Sequence, residues 1–401
     1  MSGSAGPLAG IRVLELGSLI AGPFAGRLLA DMGAEVVKVE APDTPDPMRQ
    51  WGQATYRGRR LWWTVQSRNK YCITLNLRLP EGQALFRRLA QQADVVIENF
   101  RPGTLEQWQL GWDELSAVNP RLILVRVSGF GQTGPYRDRA GFGAVAEAMG
   151  GLRYVTGFPD RPPVRLGISL GDAVAALYAT IGTLAALQER HRSGRGQVVD
   201  VSITEAVFSL MESAVPDYGR TGHVRERSGN ILPGIAPSNV YPTRDGQYLV
   251  IGANQDRVFR RLCEVLGHPE VAEDPRFATH EARGQHQEAL DDLIAQWTRQ
   301  WDQKALAERL HQAGIPAGPI YSIADIMQDP HFLAREMIVP MEDPELGLVE
   351  VPGPVPKFSR TDSRLRWTGP AHPGEHNQEV YQRWLGLEPS ALEALHRQGV
   401  V

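Results

Sequence analysis

Residues 11–16 (IRVLEL) and 35–40 (EVVKVE) are short apolar runs. Between them, 24–32 (FAGRLLADM) repeats Leu28, Leu29 and Met32 at helical spacing. Gly17 reads as the turn that leaves the first strand. Pro23 is tolerated in a first helical turn, where its missing N–H has no partner, and Gly33 closes the helix. The unit recurs as strand 73–77 (ITLNL), helix 80–92, strand 94–99 (DVVIEN), a helix from Thr104 and strand 122–127 (LILVRV). Strands alternating with amphipathic helices predict an α/β fold, with a parallel sheet covered on both faces. Such a sheet takes its ligand at the carboxyl ends of its strands.

The first unit lacks a dinucleotide fingerprint, because Gly17, Gly22 and Gly26 are not spaced G-x-G-x-x-G. Glu40 stands where a dehydrogenase places its ribose-binding acid, but helix packing and a tight turn are the preferred account of the glycines. After Tyr218 the pattern changes to a Pro/Gly-rich stretch, followed by a hairpin of 240–242 and 248–251 around Asp245-Gly246. Helices near 256–266, 286–299 and 303–313 complete a smaller α+β domain, and a short helix at 378–385 closes the chain.

Composition acts by exclusion. The 401 residues carry 42 Lys plus Arg against 46 Asp plus Glu, a net charge of −4, so no nucleic-acid partner is expected. Two cysteines, Cys72 and Cys263, exclude a disulfide framework and point to a reducing cytoplasm. No 18-residue apolar run is evident, and MSGSAGPLAG is unlike a signal peptide, so neither membrane association nor secretion is expected. Among the ten histidines only His372 and His376 stand four apart, and no metal is expected. The loop 129–135 (GFGQTGP) lacks the Lys-Ser/Thr of a P-loop and reads as a pocket wall.

Candidate chemistry concentrates in 163–200. A brief strand at 164–166 leads to Ser169 as N-cap of a helix reaching about Arg192, with Asp172 in its first turn. An acid there is ordinary helix-start chemistry. Unpaired N–H groups would also keep it ionised, as a nucleophilic carboxylate requires. The same residues spell Gly167-Ile168-Ser169-Leu170-Gly171, a formal G-x-S-x-G elbow, with Asp325 and His376 available downstream for a serine hydrolase.

Several segments together resemble the class III CoA-transferases, the formyl-CoA transferase and carnitine CoA-transferase (CaiB/BaiF-like) type. They are PLAGIRVLELGSLIAGPFAGRLLADMGAEVVKVEAP, NKYCITLNL, ENF-RPG, SGFGQTGPYRDRAGF, GISLGDAVAALYATIGTLAALQERHRSGRGQVVDVS, GIPAGPIYS and VPGPVPKFS. The resemblance runs nearly end to end. It implies a Rossmann-like large domain (1–204 and 341–401), linkers at 205–226 and 317–340, and a small domain at 227–316. It also implies an interlocked homodimer or a heteromer.

By the same resemblance Asp172 is the nucleophile, attacking an acyl-CoA and passing through an aspartyl-CoA thioester. Coenzyme A would be a substrate, with no cofactor bound permanently. Its contacts fall on Leu19, Ile20 and Ala21, on Leu75, Asn76, Leu77 and Arg78, and on Asn99, Phe100 and Arg101. Arg78 and Arg101 would serve phosphate by charge and forked donors. Ala41, Gln107 and Ser128 stand where relatives carry basic residues, and Gly143 where many carry an acid. The glycine-rich lid of formyl-CoA transferase is absent from the middle segment. That absence favours succinyl-CoA as donor and a dicarboxylate such as malate, citramalate or itaconate as acceptor, with Arg165 or Arg153 as the pocket cation. Related 2-methylacyl-CoA racemases place a His-Asp pair at the positions of Phe142 and Gly143, and this chain has no histidine from Asn119 through Arg190.

Overall fold

The computed structural model describes residues 6–401. The chain divides into two compact units. The first holds the chain up to Leu152 together with Leu166–Pro216 and Leu333–Val401; the second holds Arg153–Arg165 and Asp217–Phe332. The stretch Arg153–Arg165 clusters with the second unit, a grouping that the boundaries expected from sequence do not contain.

The first unit is built on six parallel strands: β1 (Arg12–Glu15), β2 (Glu35–Glu40), β3 (Lys70–Thr74), β4 (Val95–Glu98), β5 (Ile123–Ser128) and β6 (Val198–Ser202). Their spatial order is β3-β2-β1-β4-β5-β6, the doubly wound order whose direction reverses between β1 and β4. Side-chain alternation along each strand feeds two cores. Val13, Val36, Val95, Ile97 and Val125 face one side, with helices α1 (Ala21–Asp31) and α5 (Leu170–Ser193). Leu14, Val37, Val96 and Leu124 face the other, with α2 (Pro80–Gln92) and the C-terminal helix Asn377–Leu385. Each fully buried aliphatic side chain contributes about 1.5–3 kcal/mol. Alanines on α1 (Ala21, Ala25, Ala30) and α5 (Ala175, Ala176, Ala179) let these two helices pack closely.

Strand β3 begins three residues earlier than its apolar text. Lys70 looks like a solvated position, but its ammonium is buried against Glu15 at 2.7 Å. The expected helix from Thr104 is a single turn, Thr104–Gln107, because Gln109 adopts φ 54°; helix α3 (Trp112–Val118) follows it. Elements not read from sequence include the strand Val198–Ser202, the hairpin Ile338–Asp343/Gly347–Pro352 and the helices Gly143–Met149 and Pro389–Arg397. The 164–166 strand does not form, and those residues are irregular. Helix α5 corrects the expectation about apolar runs, since an 18-residue window within it has a mean hydropathy of 1.5; half of that window is buried in the protein interior. The second unit carries a three-stranded antiparallel sheet, in the order Ala317–Pro319, Tyr248–Gly252, Ser238–Pro242. The hairpin between its last two strands turns through Gly246 at φ 73°.

Charge is buried inside the first unit. Lys38 on β2 sits 3.1 Å from Glu15 and 2.8 Å from Asp46, and donates to the Gly17 carbonyl at 2.7 Å. Burial works against its charge, but Asp46 and Glu15 outweigh it and hold the ammonium above its ordinary value. Gly26 makes room for the Glu15 carboxylate, as a Cβ there would lie 2.1 Å from Oε2.

Lys38→Met removes one partner of a buried cluster and leaves carboxylates uncompensated. The expected loss is about 3–5 kcal/mol, read by urea unfolding. At the C-terminus, burial lowers His376 below 6.5, and its Nδ1 accepts the Cys72 N–H at 3.1 Å. A group lowered in this way contributes stability that is full above pH 6.5 and is lost as pH falls through the lowered value. Wild type should therefore lose more thermal stability than His376→Leu between about pH 7 and pH 5, as a melting series across that range would show.

Candidate active site

Strands β1 and β4 are neighbours whose exits turn opposite ways, and the crevice between them is lined by backbone. The loop after β1 is held at every residue. Gly17 gives its carbonyl to Lys38; Ser18 exchanges two hydrogen bonds with the Asn99 side chain, at 2.8 and 2.9 Å; and the Leu19 N–H reaches Asp46 Oδ1 at 2.9 Å. These bonds keep Leu19 at φ 63°, a left-handed conformation that a leucine rarely adopts unaided. Asp46 also accepts from the Met48 N–H. Burial alone would raise its carboxyl, yet Lys38 and these donors hold it below the ordinary range.

Two adjoining cavities open there, sharing Ser18 and Phe100. The first, about 170 Å³, is walled by Leu19, Ile20, Ala21, Trp51, Asn99, Phe100, Arg101, Arg137, Arg139, Phe142, Gly143 and Asp172, among others. The second, about 280 Å³, includes Leu75, Asn76, Leu77, Arg78 and Trp108. Asp172 and all ten positions expected to contact the ligand thus line these two adjoining cavities. The structure refines their roles. Leu75 and Leu77 belong to the core, leaving their backbone to face the cavity, and the Asn99 amide is spent on Ser18. Arg78 is exposed, with Asp43 3.8 Å away.

Asp172 lies in the first turn of α5, partly buried. Its carboxylate fits against Gly143, the first residue of α4 (Gly143–Met149), where a Cβ would come within 2.4 Å of Oδ2. One turn further along α4, buried Glu147 accepts the Gly171 N–H at 3.1 Å. The cap expected from Ser169 is therefore supplied in trans: Ser169 occupies the N-cap position, but its hydroxyl makes no cap bond. Glu147 was missed in sequence, where its one signal is a lone acid within AVAEAMGG.

Other readings of the sequence resolve. No strand precedes Ser169, so the elbow lacks its context. Asp325 closes a capping box with Ser322, and His376 is bonded to Cys72. Glu40 is buried, gripped by Arg49 at 2.9 and 2.7 Å and by the Cys72 thiol, which removes it as a ribose acid. Arg165 and Arg153 fall in the second unit. Within the first unit, Arg101, Arg137 and Arg139 line the Asp172 cavity. Among the described residues no histidine lines that cavity, where a racemase would need a second base.

The fold and the crevice define a doubly wound α/β protein with its ligand site at the topological switch point. A family description, CoA-transferase family III, matches residues 8–377. The chain is 58% identical over 395 residues to a succinyl-CoA–D-citramalate CoA-transferase of Chloroflexus aurantiacus, covering 98% of each. It is 42% identical over 398 residues to the beta subunit of a succinyl-CoA–L-malate CoA-transferase of the same organism, again covering 98% of each. A crystal structure of a CaiB/BaiF family protein from Brucella suis superposes with a TM-score of 0.84 at 37% identity, covering 95% of this chain and all of that one. The chain belongs to CoA-transferase family III and is a CoA-transferase.

Gly143→Ala tests the seat of Asp172. The added methyl displaces the carboxylate, and a misplacement of this order lowers turnover by about a hundred-fold. Circular dichroism and melting should show the fold retained.

Proposed function

We propose that the enzyme moves CoA from succinyl-CoA to a second dicarboxylate of the citramalate or malate kind, through an aspartyl-CoA thioester on Asp172. The observation that carries this reading is the place of Asp172. Among the described residues it is the one carboxylate lining its cavity, and it stands at the positive end of α5. The names of the relatives supply the donor and the acceptor class.

The steps balance without an outside proton or electron. An Asp172 oxygen attacks the thioester carbonyl, the C–S bond breaks, and CoA thiolate leaves a succinyl–aspartyl anhydride. The thiolate attacks Cγ of Asp172 and succinate departs, leaving the aspartyl-CoA thioester. The acceptor carboxylate attacks the same Cγ and releases thiolate. Thiolate then attacks the acceptor's acyl carbon, and Asp172 is regenerated. The adenine and phosphates of CoA take the second cavity, near Leu75 to Arg78, and the thioester takes the first.

We propose further that CoA comes and goes as substrate with no cofactor held permanently, that the enzyme is cytoplasmic, and that two copies interlock as a homodimer. Exposed apolar side chains on the first unit, including Leu177, Ile181 and Phe208, support a covered surface.

Intact-mass spectrometry after incubation with succinyl-CoA is the test. Wild type should gain a covalent CoA adduct and Asp172→Ala none; an adduct of equal yield on the variant would sink the assignment.

A further inference from the structure

The loop between Gly129 and Gly141 has more structure than its glycine content suggests. Its two ends meet: a Cβ on Gly129 would fall 2.7 Å from the Gly141 Cα, so only a glycine pair closes the neck. The base is tied to the chain at and after β6. Thr204 Oγ1 donates to the Gly129 carbonyl at 2.8 Å, and the Gln132 N–H reaches Asp200 at 2.9 Å. At the tip, Tyr136 meets Phe130 edge-on at 5.9 Å and carries the Arg139 guanidinium on its ring, 3.6 Å from the centroid. A backbone bond from the Arg139 N–H to the Tyr136 carbonyl, 2.9 Å, closes the same turn. Arg139 is thus held in place by its own loop, while its forked donors have no carboxylate partner among the described residues.

The surrounding charge selects what it can hold. Three arginines line the Asp172 cavity against that single carboxylate. Arg101 adjoins Phe100, one of the two residues shared with the second cavity, and so on this reading serves the CoA phosphates. Arg137 shares its charge with Asp138, 3.2 Å away. Arg139 is left without an acidic partner. We infer that Arg139 is the specificity residue of the acyl end, binding the free carboxylate of the substrate while its other carboxyl reacts at Asp172. This rests on the reading above and extends it. On the route above both acids react at the same Asp172 carbon, so one arginine serves the remote carboxylate of donor and acceptor alike. Bidentate pairing with a planar carboxylate suits the guanidinium fork.

The test compares two acids of similar length with succinyl-CoA as common donor: labelled succinate, which has the second carboxylate, and labelled butyrate, which has a methyl there. The readout is the succinate-over-butyrate ratio of kcat/KM. Arg139→Gln should lower that ratio by roughly thirty-fold, the worth of a charge-assisted pair, and Arg139→Lys should recover part of it. A ratio unchanged in Arg139→Gln overturns the assignment, as does a ratio that moves only in Arg137→Gln. Asp172→Ala in the same assay tests the reading beneath. Product at the wild-type rate there would remove the covalent route, yet the acid preference of Arg139→Gln would still be judged as a ratio between two acids.

Discussion

The architecture depends on a charge that has been taken out of water. Lys38 is buried in the sheet, and the cost of desolvating it is met only because Glu15, Asp46 and the Gly17 carbonyl surround its ammonium. Lys70 reaches the other oxygen of Glu15, and Glu40 pairs with Arg49, so three acids and three cations interlock at the head of β1 to β3. The consequence is directional. Asp46, fixed by Lys38 on one oxygen, offers the other to the Leu19 N–H and so forces the loop after β1 into its left-handed turn. The wall of the crevice is therefore an extension of the buried ion cluster rather than a free loop.

Missing side chains then shape the site. Gly26 admits Glu15, Gly143 admits the Asp172 carboxylate, and the Gly129–Gly141 pair closes the neck of the loop that bears Arg139. Each is a position where backbone or a functional group comes too close for a Cβ. Helix α4 combines both devices one turn apart, a gap at Gly143 and an acceptor at Glu147 for the Gly171 amide. On the proposed route Asp172 must be charged when it attacks, and its Cγ must stay in place while it is carried as anhydride and thioester. Helix α5 supplies the first condition, and α4, seated against it, supplies the second.

Much of the fold was legible because period-2 and period-3.6 patterns report burial directly. Strand β2 and helix α2 fall at 35–40 and 80–92, as their text implies. Positions where polarity misleads were illegible: Lys70 begins a buried strand, and Glu147 caps a helix distant in sequence. The hairpin Ile338–Asp343/Gly347–Pro352 was hidden by the Pro/Gly-rich text around it. The site divided in the same way. Asp172 and the ten expected contacts were named by the family resemblance, and they line the two adjoining cavities. Arg137 and Arg139 were not, since their loop reaches Asp172 only through the fold.

The sequence by itself determined the alternation of strands and helices, the doubly wound class, and the acid in the first turn of α5. These depend on local periodicity and on which groups a helix start leaves unpaired. Only the tertiary structure decided which charges are buried and paired, which glycines are contact points, and which arginines share a cavity with Asp172. Those outcomes depend on distances between segments far apart in the chain, to which a one-dimensional pattern carries no term.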